Sequence, residues 1–169
     1  MKLGIVSDTH DNTAAIAAAL RLFEEQGVSC VIHCGDLTSP QTATRFRNIP
    51  THFVLGNCDG PPELMRPAIH SASGTYHESV GLLEVAGRRL AWTHGHDWSR
   101  LLQLELSGEY DFVFHGHTHQ ARQHQRGKTW VINPGALYRA ARYTCVVLDA
   151  TSGSFEFMEV SPEATTTAR

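Results

Sequence analysis

No apolar stretch in this 169-residue sequence reaches the roughly 20 residues that a membrane-spanning helix needs. Met1-Lys2 runs straight into Leu3-Gly4-Ile5-Val6, which is too short for the apolar core of a secretory signal. The expectation is a cytoplasmic location with no membrane association. Cysteine is sparse: Cys30, Cys34, Cys58 and Cys145 form no CxxC pair and no disulfide-framework spacing, so free thiols are expected. Lysine and arginine form no run and the formal net charge is −3, which leaves no signature of a nucleic acid held by charge alone. A local basic surface near Arg139 and Arg142 is compatible with that balance. No internal repeat is visible. With 41% hydrophobic and 18% charged residues the chain is not of a disordered type, and its length suits one domain with a real core.

Histidine is abundant by contrast. There are 11 histidines against 14 lysines and arginines, and several cluster with aspartate. Histidine is the usual nitrogen ligand of transition metals, so the clusters ask for a chemical reason.

A pass along the chain places them. Lys2 to Ser7 reads as a buried strand, and Asn12 caps a predicted helix to about Gln26 that presents Ala15, Ile16, Ala19, Leu20 and Phe23 on one face, with Gly27 as its stop. Cys30 to Cys34 is a second strand, Ser39-Pro40 opens a helix to about Arg47, and Thr51 to Leu55 is a third strand. Gly60 to Pro67 has four prolines or glycines in eight positions and is expected as a loop with at most one helical turn. Tyr76 to Val85 and Arg88 to Thr93 read as strands joined at Ala86-Gly87, followed by a short helix at Trp98 to Leu106. Tyr110 to His115, Thr129 to Ile132, Tyr143 to Asp149 and Ser154 to Val160 give four more strands. This alternation predicts an α/β layered domain over residues 1–160, two sheets packed together with helices outside, and a frayed polar tail over 161–169.

The residues that follow the strands carry the chemistry. Five strands end in Ser7-Asp8-Thr9-His10, Gly35-Asp36, Gly56-Asn57-Cys58-Asp59, Thr93-His94-Gly95-His96 and Gly116-His117-Thr118-His119. Parallel strands lie about 4.8 Å apart, so their terminal side chains gather along one edge, where ligands of open α/β sheets bind. Asp8, Asp36, Asn57 and four histidines exceed the needs of one tetrahedral zinc and suit two ions with mixed oxygen and nitrogen ligands. Two such ions lower the pKa of a bridging water towards roughly 7 and bind phosphoryl oxygens, with no protein nucleophile required.

The ordered string Asp-x-His, Gly-Asp, Gly-Asn, His-Gly and Gly-His-x-His, from Asp8 to His119, resembles the calcineurin-like metallophosphoesterase superfamily. Asn133-Pro134-Gly135 resembles a turn of its small prokaryotic phosphodiesterases. The resemblance implies a four-layer α/β/β/α sandwich, two mixed sheets flanked by helices. It implies that Asp8, His10 and His119 hold one metal, that Asn57, His94 and His117 hold a second, and that Asp36 bridges both. His94 is preferred to His96 because the family motif places the ligand directly before Gly95. Mn²⁺ is the common activating ion, with Fe, Ni, Zn or Co as alternatives, and the implied reaction is attack of a metal-bridging hydroxide on a small phosphate ester, nucleotides among the candidates. Analogy also allows a homo-oligomer.

Where many relatives carry a leaving-group histidine after the asparagine, this chain has Cys58, and His96 is the candidate substitute acid beside the catalytic Asp36 and Asn57. His33 and His115 are expected as packed or hydrogen-bonded supports, and His52, His70, His77 and His124 as surface residues. Asp11 and Asp59 read equally as supports or as solvated turn residues; Arg139 and Arg142 read as solvated, with a substrate phosphate as the alternative. The rival function is a non-catalytic scaffold like the retromer subunit of the same fold, which is free to lose ligands; here all seven positions hold competent side chains. A double-strand-break nuclease subunit would need further domains.

Overall fold

The computed structural model of the protein describes residues 1–162, so residues 163–169 of the expected tail lie outside the described part. Along the chain run β1 (Lys2–Val6), α1 (Thr13–Glu25), β2 (Val28–His33), α2 (Pro40–Ala43, continued by a 3-10 turn at Thr44–Phe46), β3 (Thr51–Phe53), α3 (Pro62–Ser71), β4 (Thr75–Tyr76), β5 (Gly81–Val85), β6 (Arg88–Trp92), α4 (Trp98–Leu106), β7 (Phe112–Phe114), β8 (Arg122–Arg126), β9 (Thr129–Asn133), β10 (Thr144–Asp149) and β11 (Ser154–Glu159). They form a six-stranded sheet in the order β11-β10-β1-β2-β3-β4 and a five-stranded sheet in the order β5-β6-β7-β9-β8.

Period-two alternation along the strands builds the layers. Leu3, Ile5, Ile32, Val146 and Leu148 of the first sheet pack against Trp92, Phe112, Phe114 and Ile132 of the second. The intervening residues Val6, Val31 and Phe53 face the opposite way, against Ile16 and Phe23 of α1, Phe46, and Met65 and Ile69 of α3. On the outer face of the second sheet, Ala91, Val113 and Val131 receive Leu101 of α4. The result is the expected sandwich of helices, sheet, sheet and helix. Asn12 caps α1 by accepting from the Ala15 N–H at 3.3 Å, as its side chain and position predict.

Four local expectations differ. The stretch after Gly60 forms the ten-residue helix α3. Pro61 and Pro62 start it, where a missing N–H costs nothing, and burial of Met65 and Ile69 one turn apart outweighs the bond lost at Pro67. The helix after Ser39 is a single turn completed by 3-10 geometry. The run expected as one strand from Tyr76 to Val85 is divided: Thr75–Tyr76 joins the first sheet beside β3, and Gly81–Val85 begins the second. The edge strand β8, Arg-Gln-His-Gln-Arg, was not expected, because an exposed polar edge carries no apolar alternation.

Two sets of parallel neighbours place the site. β1, β2 and β3 pair in parallel, as do β6, β7 and β9. Their carboxyl ends therefore deliver Asp8, Asp36 and Asn57 from one sheet and His94, His117 and Asn133 from the other to the same edge of the sandwich. β1 sits close to α1, and a Cβ at Gly4 would come within 2.7 to 2.8 Å of the Phe23 ring. Gly4→Ala is expected to lower stability by about 1–3 kcal/mol through overpacking. A urea transition with an unchanged midpoint would count against this packing.

Candidate metal centre

The turns after the strands bring five of the seven predicted ligands into direct proximity. Asp8, His94 and Asp36 are buried, and His10 and His119 half-buried. The ligand-capable atoms of Asp8, His10 and His119 lie within 4.8 Å of one another, and so do those of Asp8, Asp36 and His94. His119 Nε2 stands 3.3 Å from Asp8 Oδ1. Asp36 Oδ2 lies between two imidazoles, 3.4 Å from His10 Nε2 and 3.3 Å from His94 Nε2.

His117 joins through its ring, 5.3 Å from that of His94, and through its backbone N–H, which donates to Asp8 Oδ2 at 3.0 Å. The Asn57 side chain is exposed and turns to Cys58 Sγ, so its place depends on the loop that carries it. His96 is exposed at the rim, 5.5 Å from His94 and 6.3 Å from His117 between ring centres. Cys58, with no ligand role in the expected set, lies in one 4.8 Å group with His10 and Asp36.

The donor set fits a cation on a specific observation. Asp8 Oδ1, His10 Nε2 and His94 Nε2 are buried polar atoms without a hydrogen-bond partner, a costly arrangement unless an ion completes it. Among the described residues no lysine or arginine pairs with Asp8 or Asp36; their charged neighbours are histidines. His94 Nδ1 donates to the Cys34 carbonyl at 2.9 Å, which leaves the Nε2 lone pair directed into the cluster. Thr38 Oγ1 contacts His10 Nδ1 at 3.2 Å and holds that ring in place.

The titration behaviour agrees. Burial raises the Asp8 carboxyl against the lowering influence of His94 and His119. Burial would raise Asp36 as well, but the imidazole of His94 and the Cys58 N–H, donating to Oδ1 at 2.9 Å, outweigh it and hold Asp36 well below the usual carboxylate range. Burial opposes a charged His94, yet Asp36 and Asp8 raise it all the same. The pocket thus favours positive charge.

The surrounding backbone is held to this purpose. Asp8, His10, Asp36, His117 and His119 all take φ between +40° and +70°, a region that costs a non-glycine residue about 1–3 kcal/mol. A Cβ at Gly56 would run into Asp36 Oδ1, and one at Gly116 into Ser7 Oγ and Asp8 Oδ2, so only glycine lets the strands approach the carboxylates.

Asp59 resolves as a support rather than a solvated turn residue: its carboxylate accepts from the Gly56, Asp36 and Thr38 N–H groups at 2.7, 2.9 and 2.7 Å, clamping the loops after β2 and β3 together. Asp11 accepts from Ser39 and Thr42. Asn133 ties the loop after β7, donating to the Gly116 carbonyl at 2.9 Å and Thr118 Oγ1 at 3.0 Å while accepting from the Gly135 N–H. Its only sequence signal was the Asn-Pro-Gly turn.

His33 is wholly buried beside Phe46 and Phe53. The Gly35 N–H donates to its Nδ1 at 3.1 Å, so the ring proton is on Nε2 and donates to Thr9 Oγ1, whose hydroxyl points to the Asp36 carbonyl. His52 and His77, expected at the surface, are half-buried and in contact at 2.8 Å against Trp92.

A layered α/β sandwich with paired carboxylates and imidazoles at the strand ends defines a metal-dependent hydrolase. The model of the calcineurin-like phosphoesterase superfamily domain matches residues 1–153. The chain belongs to that superfamily and is a phosphoesterase. It is 34% identical over 138 residues to the phosphodiesterase MJ0936 of Methanocaldococcus jannaschii, covering 80% of this chain and 83% of that protein. The solved structure of an archaeal phosphodiesterase superposes with a TM-score of 0.88 at 31% identity, over 95% of this chain and all of that one. The zinc complex of Vps29 from Entamoeba histolytica shares the fold, with a TM-score of 0.64 at 17% identity over 95% of this chain and 98% of its own.

Two consequences are measurable. Asp59→Asn sets an amide N–H against backbone donors and is expected to weaken metal binding by about 10–100-fold; unchanged affinity in a metal titration would remove Asp59 from the site's support. His33, lowered by burial first and then by His94, takes up a proton at about 3 in the folded chain against 6.5 unfolded. Between those values the unfolded chain binds more protons, so the stability His33 gives is complete above pH 6.5 and declines as pH falls, by up to about 1.4 kcal/mol per unit. Denaturation between pH 7.5 and 5 should show this slope in the native protein and a shallower one in His33→Gln.

Proposed function

We propose that the chain is a phosphodiesterase whose two divalent cations are held by Asp8, His10 and His119 on one side and by Asn57, His94 and His117 on the other, with Asp36 shared. The convergence of buried, unpartnered Asp8 Oδ1, His10 Nε2 and His94 Nε2 carries this reading. The 3.4 and 3.3 Å approaches of Asp36 Oδ2 to His10 and His94 support its bridging place. Mixed carboxylate and imidazole donors suit Mn²⁺, with Fe, Ni, Zn or Co as competitors. Such ions supply Lewis acidity towards a phosphoryl group and hydroxide at neutral pH.

The chain's own residues set the geometry. The Cys58 N–H occupies Asp36 Oδ1 and leaves Oδ2 free. The Cys34 carbonyl fixes the tautomer of His94. His96 stands at the rim to assist the leaving group; burial, then His94 and His117, hold its pKa below the usual imidazole value. The substrate is a small organic phosphate ester, with nucleotides in this class. An interaction scaffold on the same fold is free to lose ligands, whereas all seven positions here hold competent side chains.

Metal-stripped protein should be inactive on bis(p-nitrophenyl) phosphate and recover with Mn²⁺. Asp36→Asn should lower turnover by about 10²-fold or more and reduce bound metal, with the fold retained. Hydrolysis that persists through chelation and in Asp36→Asn would refute the assignment.

A further inference from the structure

Beside the candidate metal centre, a cavity of about 630 Å³ opens, lined by His119, Arg139 and Arg142 among others. Its remaining walls are small or neutral, Thr118, Gln120 and Thr144 among them, and none is acidic. Among the described residues neither guanidinium forms an ion pair or a side-chain hydrogen bond, although both are exposed. The cavity on the other side of the same loop holds an acid: there Arg126 and His124 approach the buried Glu105 at 3.5 and 3.3 Å, and Arg122 also lines it.

Arg139 is also placed. The segment leading to it is fixed to the metal loops, since the Leu137 N–H donates to the Asp8 carbonyl at 3.2 Å and Asn12 Nδ2 donates to the Leu137 carbonyl at 2.7 Å. Tyr138 lies against His10, 4.9 Å between ring centres, and the Arg139 guanidinium lies 5.1 Å over the Tyr138 ring. Arg139 itself takes φ +45°, an uncommon conformation for a non-glycine residue. A continuous line of contact therefore runs from the ligand cluster through Tyr138 to an uncompensated positive charge.

We infer that this cavity is a subsite for a second anionic group of the substrate, so that the preferred substrates are phosphodiesters carrying a further phosphate on the retained substituent, as in a nucleotide phosphorylated at two positions. This rests on the phosphodiesterase reading. Planar guanidinium groups recognise phosphate by paired N–H donors, and a phosphate between two of them gains where a neutral substituent does not.

The test compares thymidine 5′-(p-nitrophenyl phosphate) with the same diester bearing a 3′-phosphate, on manganese-loaded enzyme. Both release the same nitrophenolate, so the ratio of kcat/KM isolates the added phosphate. The 3′-phosphorylated diester should be preferred about tenfold, chiefly through KM. The preference should fall to about one when Arg139→Gln and Arg142→Gln are combined, and recover in part when both are lysine. A ratio near one in the native protein, or one unchanged in the glutamine variant, overturns the subsite.

If neither diester is hydrolysed, the phosphodiesterase reading has failed, and calorimetry judges the cavity separately. Tighter binding of thymidine 3′,5′-bisphosphate than of thymidine 5′-monophosphate, lost in the glutamine variant, upholds it; equal binding overturns it.

Discussion

Two carboxylates, Asp8 and Asp36, are buried at the ends of adjacent parallel strands with no lysine or arginine beside them among the described residues. Removing such charges from water is among the most costly steps in folding unless a cation or a full set of donors meets them. Here the donors are incomplete: Asp36 Oδ1 has the Cys58 N–H and Asp8 Oδ2 the His117 N–H, while Asp8 Oδ1 has no hydrogen-bond partner. The Nε2 atoms of His10 and His94 face the same space, both near Asp36 Oδ2. The design tolerates an electrostatic deficit that a divalent ion removes.

That deficit is held open by the rest of the molecule. The large inner residues Trp92, Phe112 and Phe114 fix the two sheets against each other, so the strand ends cannot separate to relieve the charge. Asp59, Asn133 and the His33–Thr9 pair lock the loops, and five candidate ligands remain in left-handed backbone conformations. Stability stored in a dry core thus offsets strain concentrated at the function. Glycine at positions 56 and 116 belongs to the same arrangement, because any side chain there would displace a carboxylate.

The arginine-lined cavity extends this logic outward. A pair of cations does not by itself recognise the organic substituent of an ester, so that part of the selectivity falls to the surrounding walls. Tyr138 and Arg139 follow directly from a segment hydrogen-bonded to the Asp8 loop. The cavity wall and the candidate ligands are thus joined through a few residues of backbone.

Sequence alone determined a great deal: most of the strands and helices in their order, the two-sheet sandwich, and the residue types at the strand ends, because apolar periodicity and side-chain chemistry are local properties. It missed what depends on competition between local rules and packing. α3 formed despite three prolines because Met65 and Ile69 found the core, β8 formed at an edge where no apolar pattern is required, and the run from Tyr76 to Val85 was split between sheets. Sequence likewise could not rank Asp59 above Asp11, since that judgement needs partners more than a few residues away. Only the tertiary structure decided that Asp59 clamps three backbone N–H groups, that His94 is buried while His96 is exposed, and that two guanidiniums line one cavity with His119. Burial and distance are properties of the folded assembly, and no spacing along the chain encodes them directly.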